Sequence, residues 1–252
     1  MLDPQLLKQA VHTFHRDGYI VWRGFYNSAE MQDLMQQIDR YIKEVLPTLP
    51  KNRAFFADKS DMATLFRLEQ MQVDPWFEAF YLSERMTGLA RTLLDDDVKP
   101  QQVEMFGKAP RGGEATPPHQ DGNYWMLVPN EGVTMWLALD VVDVENGCLR
   151  YVPGSHRKPM RNHAIGNTFG FSLGMTDFGP EDEMAEVAIC AEPGDLIVHH
   201  GLTIHRADGN PSDRLRRAMG FVYFADRAKA DTVAVNAHQQ AVHDQWAAQN
   251  KL

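Results

Sequence analysis

The spacing of apolar residues in the first third of the chain is typical of amphipathic helices. Apolar positions recur every three or four residues, and the runs end at Gly18 and at Pro47. A short apolar segment at 19–24 predicts one strand, and 53–58 has the composition of a loop. The helical spacing is found in three stretches: 4–16, 28–45 and 73–96.

After residue 97 the pattern changes to short β-rich runs separated by turn residues. This texture predicts a β-sandwich or jelly roll rather than alternating strands and helices. The expected fold is therefore mainly β with flanking helices. The chain is expected to be a single domain, 1–252, with a mostly helical part at 1–97, a β core at 98–225 and a helical tail at 226–252. The predicted strands are 102–107, 133–142, 148–152, 186–191, 195–200 and 217–225.

Composition narrows the classes of function. The net charge of −9 argues against nucleic acid as a general partner, because phosphate binding requires clustered cations. The two cysteines, Cys148 and Cys190, are too few for a disulfide framework. No apolar run approaches the ~20 residues of a membrane span. We therefore expect a soluble, cytoplasmic protein that acts on a small molecule without nucleic acid or membrane as a partner.

A histidine and a carboxylate stand two positions apart in the segment 117–125, which reads PPHQDGNYW. On a strand, His119 and Asp121 would point to the same face and could reach one metal ion together. A divalent ion such as Fe(II) accepts one imidazole and one carboxylate, and a second histidine completes a facial triad with three open positions. The sequence thus predicts a metal site that needs one further histidine.

Candidates for that histidine follow in the segment 195–205, DLIVHHGLTIH, which supplies His199, His200 and His205. The next strand opens with 213–217, DRLRR. An arginine presents a rigid fork that matches a carboxylate, so Arg216 or Arg217, near a metal, indicates an anionic co-substrate. From the residues alone, both choices stay open.

Several segments together resemble the phytanoyl-CoA dioxygenase family of Fe(II)/2-oxoglutarate-dependent oxygenases. These segments are 118–121 (PHQD), 146–149 (NGCL), 152–156 (VPGSH), 194–195 (GD), 200–205 (HGLTIH), Asn210 and 216–218 (RRA), and 14–25 also fits the family's N-terminal pattern. The resemblance implies a double-stranded β-helix, a cupin-like jelly roll. It implies His119, Asp121 and His205 as catalytic metal ligands.

The resemblance also implies that Arg216 anchors the far carboxylate of 2-oxoglutarate and that Trp136 and Lys108 line that co-substrate site. Ala207 departs from the pattern, because several relatives carry serine there. The implied reaction consumes O2 and 2-oxoglutarate at Fe(II), releases succinate and CO2, and hydroxylates a C–H bond. The presence of Asp121 favours hydroxylation over halogenation, since halogenating members lack this carboxylate.

The substrate is expected to be a small metabolite with an anionic group. Pocket candidates are Asn123, Tyr124 and Trp125 beside the metal motif, Arg161 in a later loop, and Arg53 in the N-terminal part. A basic patch long enough for the phosphates of coenzyme A is missing from the sequence. The alternatives are an acyl-CoA hydroxylase of the same family, a cupin-type metal-binding protein without oxygenase activity, and a metal-dependent hydrolase or isomerase.

Overall fold

The computed structural model describes residues 3–56, 58, 64–165, 173–233, 235–237, 240, 241 and 244. Its α-helices are α1 (Pro4–Asp17), α2 (Ser28–Arg40), α3 (Pro75–Tyr81), α4 (Glu84–Leu94), α5 (Gly122–Trp125) and α6 (Pro180–Ala185). Shorter helical turns occur at Tyr41–Val45, Leu46–Thr48, Lys51–Arg53, Met71–Val73 and Ser155–Arg157. None of the helices in this part of the chain is long and apolar enough to span a membrane.

The described strands form two principal sheets and two smaller sheets of two strands each. They are β1 (Tyr19–Trp22), β2 (Ala54–Phe56), β3 (Leu65–Leu68), β4 (Val98–Lys108), β5 (Thr116–His119), β6 (Leu127–Val128), β7 (Gly132–Ala138), β8 (Leu149–Tyr151), β9 (His163–Ile165), β10 (Leu173–Met175), β11 (Val187–Ile189), β12 (Leu196–His200), β13 (His205–Ala207), β14 (Arg216–Ala225) and β15 (Lys229–Ala230). The major sheet has the order β1-β12-β7-β14-β4-β3-β2, and the minor sheet has the order β11-β8-β13-β5. All pairings in both sheets are antiparallel.

Alternation along the major strands separates two cores. On β7, Met135 and Leu137 pack with the helices, whereas Trp136 and Ala138 point between the two sheets. All seven residues of β7 are buried, because helices cover one face of this sheet and the minor sheet covers the other. This is a jelly roll with a helical layer on one side, so the predicted fold class is confirmed.

The N-terminal part contributes more strand than its pattern predicts. The strand β1 was expected, but β2 and β3 extend the far edge of the major sheet, and β2 occupies a stretch that the composition assigned to a loop. The predicted helix at 73–96 is divided into α3 and α4. About half of the predicted helical tail at 226–252 is described. Its beginning contains β15, and the described residues 232, 233, 235–237, 240, 241 and 244 are helical.

Gly18 forms the junction between α1 and β1. Gly18 ends α1 with φ +84°, and a β-carbon there would lie 2.4 Å from His156 Nδ1 and 2.5 Å from Thr203 Oγ1. Only glycine combines this left-handed backbone with the missing side chain. The turn sends β1 directly into its pairing with β12, the strand that leads to His205.

Candidate metal centre and co-substrate pocket

Three candidate ligands meet in the interior, at one end of the minor sheet. His119 ends β5 and His205 begins β13, and the two are direct register partners. Asp121 follows β5, and one ligand atom from each of the three residues lies within 4.8 Å of the others. The expected strand geometry of His119 and Asp121 is wrong in one respect: Asp121 has helical backbone angles (φ −55°, ψ −36°) at the start of α5. A turn after the strand, rather than alternation along it, brings the carboxylate to the histidines.

Backbone carbonyls fix the orientation of both imidazoles. His119 Nδ1 donates to Pro117 O at 2.8 Å, and His205 Nδ1 donates to Thr203 O at 2.9 Å. A carbonyl can only accept, so each neutral ring keeps its lone pair on Nε2. Those Nε2 atoms lie 3.4 Å and 3.7 Å from Asp121 Oδ1, respectively. Two aligned imidazole lone pairs and a carboxylate oxygen are a donor set that suits Fe(II), so the residues present fit the implied metal.

The electrostatics of the site keep Asp121 and His205 in their ligating forms. Burial alone would raise the pKa of Asp121, but His205, His119 and His199 hold it well below its usual value. Burial, with the neighbouring histidines, lowers the pKa of His205 well below its usual value. An ionised carboxylate and a neutral imidazole are the forms that bind metal ions.

The second oxygen of Asp121 is held from outside the triad. Thr134 Oγ1 donates to Asp121 Oδ2 at 2.5 Å, and His199 Nε2 lies 2.9 Å from the same oxygen. The neighbouring His200 points the other way, towards Phe14, and burial lowers its pKa to about 4. Of the three histidines left open by the sequence, the structure thus brings His205 into the cluster, places His199 behind Asp121 and directs His200 towards the helical layer.

Two buried cationic side chains lie further along the major sheet. Arg216, at the start of β14, is 4% exposed, and its Nε has no hydrogen-bond partner among the residues described. Lys108 is its register partner on β4 and is 5% exposed. Burial, and then the charge of Arg216, lower the pKa of Lys108 to about 7, while burial lowers the pKa of Arg216 to about 10. Lys108 Nζ already donates to the Glu114 carbonyl, so of these two desolvated cations it is Arg216 whose Nε is left for a bound carboxylate.

The surroundings of Arg216 agree with the sequence-based expectations of position. Its guanidinium carbon lies 5.5 Å from the Trp136 ring centroid. Arg217, the open alternative, points away from the interior and forms a two-pronged ion pair with Asp140, with distances of 3.0 Å and 2.8 Å. Ala207 is fully buried in the same core between the sheets. The structure therefore places Arg216, rather than Arg217, beside Trp136 and Lys108.

The three residues after Asp121 separate in space. The Tyr124 ring contacts His119 edge to face, with centroids 6.0 Å apart, so Tyr124 lies beside the triad. The Trp125 ring packs against Gly201 and Gly132 and lies 5.1 Å from Phe224, on the side of the helical core. Asn123 is half-buried in α5. Only the tyrosine has a ring contact with a triad residue.

The two arginines predicted for the substrate lie in different settings. The Arg161 guanidinium is bound to Asp182 at 2.8 Å and to Asp177 at 3.1 Å, so its charge is already neutralised. Arg53 is half-buried in the helical turn before β2, close enough to Tyr41 for its charge to affect that residue's pKa. Their role in substrate binding stays a prediction.

A buried ion pair near the triad was missed by the sequence reasoning. Arg67 on β3 donates from Nε and Nη2 to Glu104 Oε2 on β4, at 3.0 Å and 2.6 Å. Burial raises the pKa of Glu104, Arg67 opposes this, and the charge of Asp121 adds to the rise. Glu104 and Lys108 alternate onto the same face of β4, the face that looks between the sheets. One feature of the sequence could have indicated this pair: Glu104 is a charged residue in a predicted strand, four positions before Lys108 and therefore on the same face.

Comparisons with known proteins agree with the fold and show the family. The family model described as phytanoyl-CoA dioxygenase (PhyH) matches residues 14–218. The phytanoyl-CoA dioxygenase domain-containing protein 1 of Bos taurus is 33% identical over 264 residues, covering 87% of this chain and 89% of its own. The non-haem alpha-ketoglutarate-dependent carbocyclase SnoK from nogalamycin biosynthesis is 27% identical, with a TM-score of 0.70 over 88% of this chain and 85% of its own.

A second solved structure shows the same fold. The epimerase SnoN, in complex with Fe3+, alpha-ketoglutarate and nogalamycin RO, has a TM-score of 0.75 at 22% identity, covering 94% of this chain and 90% of its own. Fold, triad and buried cations define a non-haem iron oxygenase that uses 2-oxoglutarate. The chain belongs to the phytanoyl-CoA dioxygenase family, and it is an Fe(II)- and 2-oxoglutarate-dependent dioxygenase.

Proposed function

We propose that this dioxygenase hydroxylates an unactivated C–H bond of a small metabolite and releases succinate and CO2. The observation that carries the proposal is the buried guanidinium of Arg216, whose Nε has no hydrogen-bond acceptor in the described part of the chain and which lies beside Lys108. Such a group is unfavourable in the interior unless an anion from outside completes it. A metal-binding cupin without oxygenase activity, or a hydrolase on the same barrel, has no need of it.

The residues take distinct roles in this proposal. His119 and His205 offer Nε2, and Asp121 offers Oδ1, to Fe(II). Bound iron and 2-oxoglutarate supply the oxidising chemistry, in which one oxygen atom of O2 ends in succinate and the other in the hydroxylated product. Arg216 and Lys108 bind and orient the far carboxylate of 2-oxoglutarate, and the apolar wall that contains Trp136 excludes water from it.

The substrate is proposed to lie beside Tyr124, the residue after the triad that contacts His119. The Arg67–Glu104 pair provides polar groups for the substrate on the face of the major sheet that looks between the two sheets. An anionic substrate was expected from Arg53 and Arg161. Because Arg161 is already paired with Asp177 and Asp182, only Arg53 still supports that expectation. We retain a small metabolite as the substrate class, and we propose that Arg53 alone binds its anionic group. The cytoplasmic location likewise remains a proposal.

Succinate formation tests the proposed reaction. The iron-loaded protein, given 2-oxoglutarate and air, should produce succinate slowly without substrate. Asp121→Ala should abolish this turnover, and Arg216→Ala should require on the order of 100-fold more 2-oxoglutarate. Arg217→Ala is the matched control, because Arg217 is paired with Asp140 outside the pocket. No succinate from the wild-type protein would contradict the proposal.

The same assay discriminates between substrate classes. Small acids and amines are added in parallel with fatty acyl-CoA thioesters, and stimulated succinate is compared with hydroxylated product. Stimulation by small metabolites supports the proposal. Coupled turnover of a CoA thioester would replace it with the acyl-CoA alternative.

A further inference from the structure

We propose that His199, supported by Tyr151, is a positioning residue that holds Asp121 by Oδ2 and so presents Oδ1 alone to the metal. This inference rests on the proposed metal centre, and it concerns residues that the family resemblance did not assign. His199 Nε2 lies 2.9 Å from Asp121 Oδ2, and Tyr151 Oη lies 2.9 Å from His199 Nδ1. The three side chains form one continuous chain of hydrogen bonds across the space between the two sheets.

The hydrogen-bond inventory fixes the direction of this chain. A carboxylate accepts only, so His199 donates from Nε2 to Asp121. In the neutral ring Nδ1 then accepts, and the Tyr151 hydroxyl donates to it. Burial raises the pKa of Tyr151 well above its usual value, which keeps the hydroxyl protonated and able to donate. Every group in the chain therefore has a partner.

Packing holds Tyr151 in place. It is fully buried, stacks on Tyr19 with centroids 4.5 Å apart and an angle of 13° between the rings, and faces the ring of His205 at 5.7 Å. Tyr151 lies on β8 and is a register partner of His205 on β13. His199 is carried by β12 of the opposite sheet. The chain thus ties Asp121, which lies in a turn after β5, to rigid strands of both sheets.

The restraint matters because of what a free carboxylate could do. An aspartate can bind a metal through one oxygen or through both, and a second bond would occupy one of the three positions that a facial triad leaves open. Those positions are needed by 2-oxoglutarate and O2. With Oδ2 held by His199 and by Thr134 Oγ1, only Oδ1 faces His119 and His205. Hydrogen bonds of this kind to a ligand change metal affinity by about 10- to 100-fold when they are removed.

The test measures metal binding, without turnover. Co(II) is titrated anaerobically into the metal-free protein, and affinity is measured together with the visible spectrum, which reports the coordination number of Co(II). We expect His199→Leu to weaken Co(II) binding about 10- to 100-fold and to change the spectrum. His199→Gln keeps an amide N–H that can reach Oδ2, and it should restore most of the affinity and the wild-type spectrum.

Two further variants separate positioning from general damage. His200→Leu alters the adjacent histidine of the same strand, which packs on Phe14 and His156 on the other side, and it should leave Co(II) affinity unchanged. Tyr151→Phe removes one hydroxyl and should weaken Co(II) binding severalfold, and it decides the matter if His199→Leu does not fold. Thermal unfolding of each metal-free variant is measured beside the titrations.

Wild-type affinity and spectrum in folded His199→Leu would overturn the inference, as would equal losses in His199→Gln and His199→Leu. Wild-type affinity in Tyr151→Phe would remove Tyr151 from it, and would overturn the whole inference where His199→Leu does not fold. The proposed metal centre is tested separately. The wild-type protein should bind Co(II) and Asp121→Ala should not, and failure of the wild-type protein to bind Co(II) would contradict that centre itself.

Discussion

Two arginines lie close to the same interior, and their surroundings are opposite. Arg67 donates twice to Glu104 and also contacts Glu69 at 3.1 Å, whereas the side-chain Nε of Arg216 has no hydrogen-bond partner among the described residues. Burial opposes the charge of both. For Arg67 the two glutamates prevail and raise its pKa, while for Arg216 burial lowers the pKa to about 10. The fold completes one cation and leaves the other for a ligand.

This contrast distinguishes a structural pair from a binding group. A buried pair that is already satisfied stabilises the fold once it has formed, although it contributes little over apolar residues of the same volume. A buried cation without an acceptor is unfavourable until an anion arrives. The two arginines should therefore respond oppositely to the same substitution, in the absence of 2-oxoglutarate.

The largest effect is expected at Arg67. Arg67→Met leaves the buried carboxylate of Glu104 without its partner and should lower the free energy of unfolding by about 3–5 kcal/mol. Urea denaturation of the metal-free protein measures this change. The double variant Arg67→Met/Glu104→Gln should recover much of the loss, and a loss below about 1 kcal/mol would mean that the pair is not effectively buried.

At Arg216 the effect is expected on binding rather than on folding. Arg216→Met should weaken 2-oxoglutarate binding roughly 30- to 1,000-fold, because a buried charge-assisted contact is lost. Calorimetric titration of the Co(II) protein measures the affinity. The metal-free variant should be at least as stable as wild type, because an unpaired buried charge has been removed. Destabilisation comparable to that of Arg67→Met would erase the contrast between the two residues.

A smaller effect is expected from Lys108, through pH. Its pKa of about 7 in the folded protein lies below the ordinary value of 10.5, so the lysine loses its proton above about pH 7. A bound carboxylate favours the charged amine, and binding then takes up a proton above pH 7. The Kd for 2-oxoglutarate should rise with pH above 7, by at most about tenfold per unit.

The control for this pH dependence is Lys108→Met, whose Kd should be weaker at pH 6.5 and nearly flat from pH 6.5 to 8.5. The same pKa has a consequence for folding. Between about pH 7 and 10 the unfolded chain binds a proton that the folded chain does not, so wild-type stability should rise with pH relative to Lys108→Met. A wild-type Kd independent of pH would show that Lys108 does not face the co-substrate.

Local patterns were sufficient for the fold class and for the His119/Asp121 pair, whereas only the family resemblance singled out His205 among the three later histidines. Short apolar runs such as those of β7 and β12, with turn residues between them, indicated a jelly roll. The expected Asp121 geometry failed, because a period of two says nothing about where a strand ends, and β5 ends at His119. The carboxylate still reaches the histidines, by way of the first turn of α5.

Contacts between distant segments could not be predicted from the local spacing of apolar and polar residues. Arg67 and Glu104 are 37 residues apart, and Arg67 lies on a strand in a part of the chain that was expected to be mostly helical. The pairing of Arg161 with Asp182, 21 residues later, depends equally on tertiary placement. Arg216 and Arg217 differ by one position on a strand, and only the register with Lys108, which the structure supplies, separates them.

The most direct test of the central claim is an anaerobic titration of the Fe(II)-loaded protein with 2-oxoglutarate, followed in the visible range. The account predicts a charge-transfer band that saturates with 2-oxoglutarate, is lost in Asp121→Ala, and needs far higher co-substrate concentrations in Arg216→Met. A wild-type protein that binds Fe(II) and yet shows neither a band nor heat of binding with 2-oxoglutarate would contradict the assignment of Arg216 and Lys108 as its co-substrate pocket.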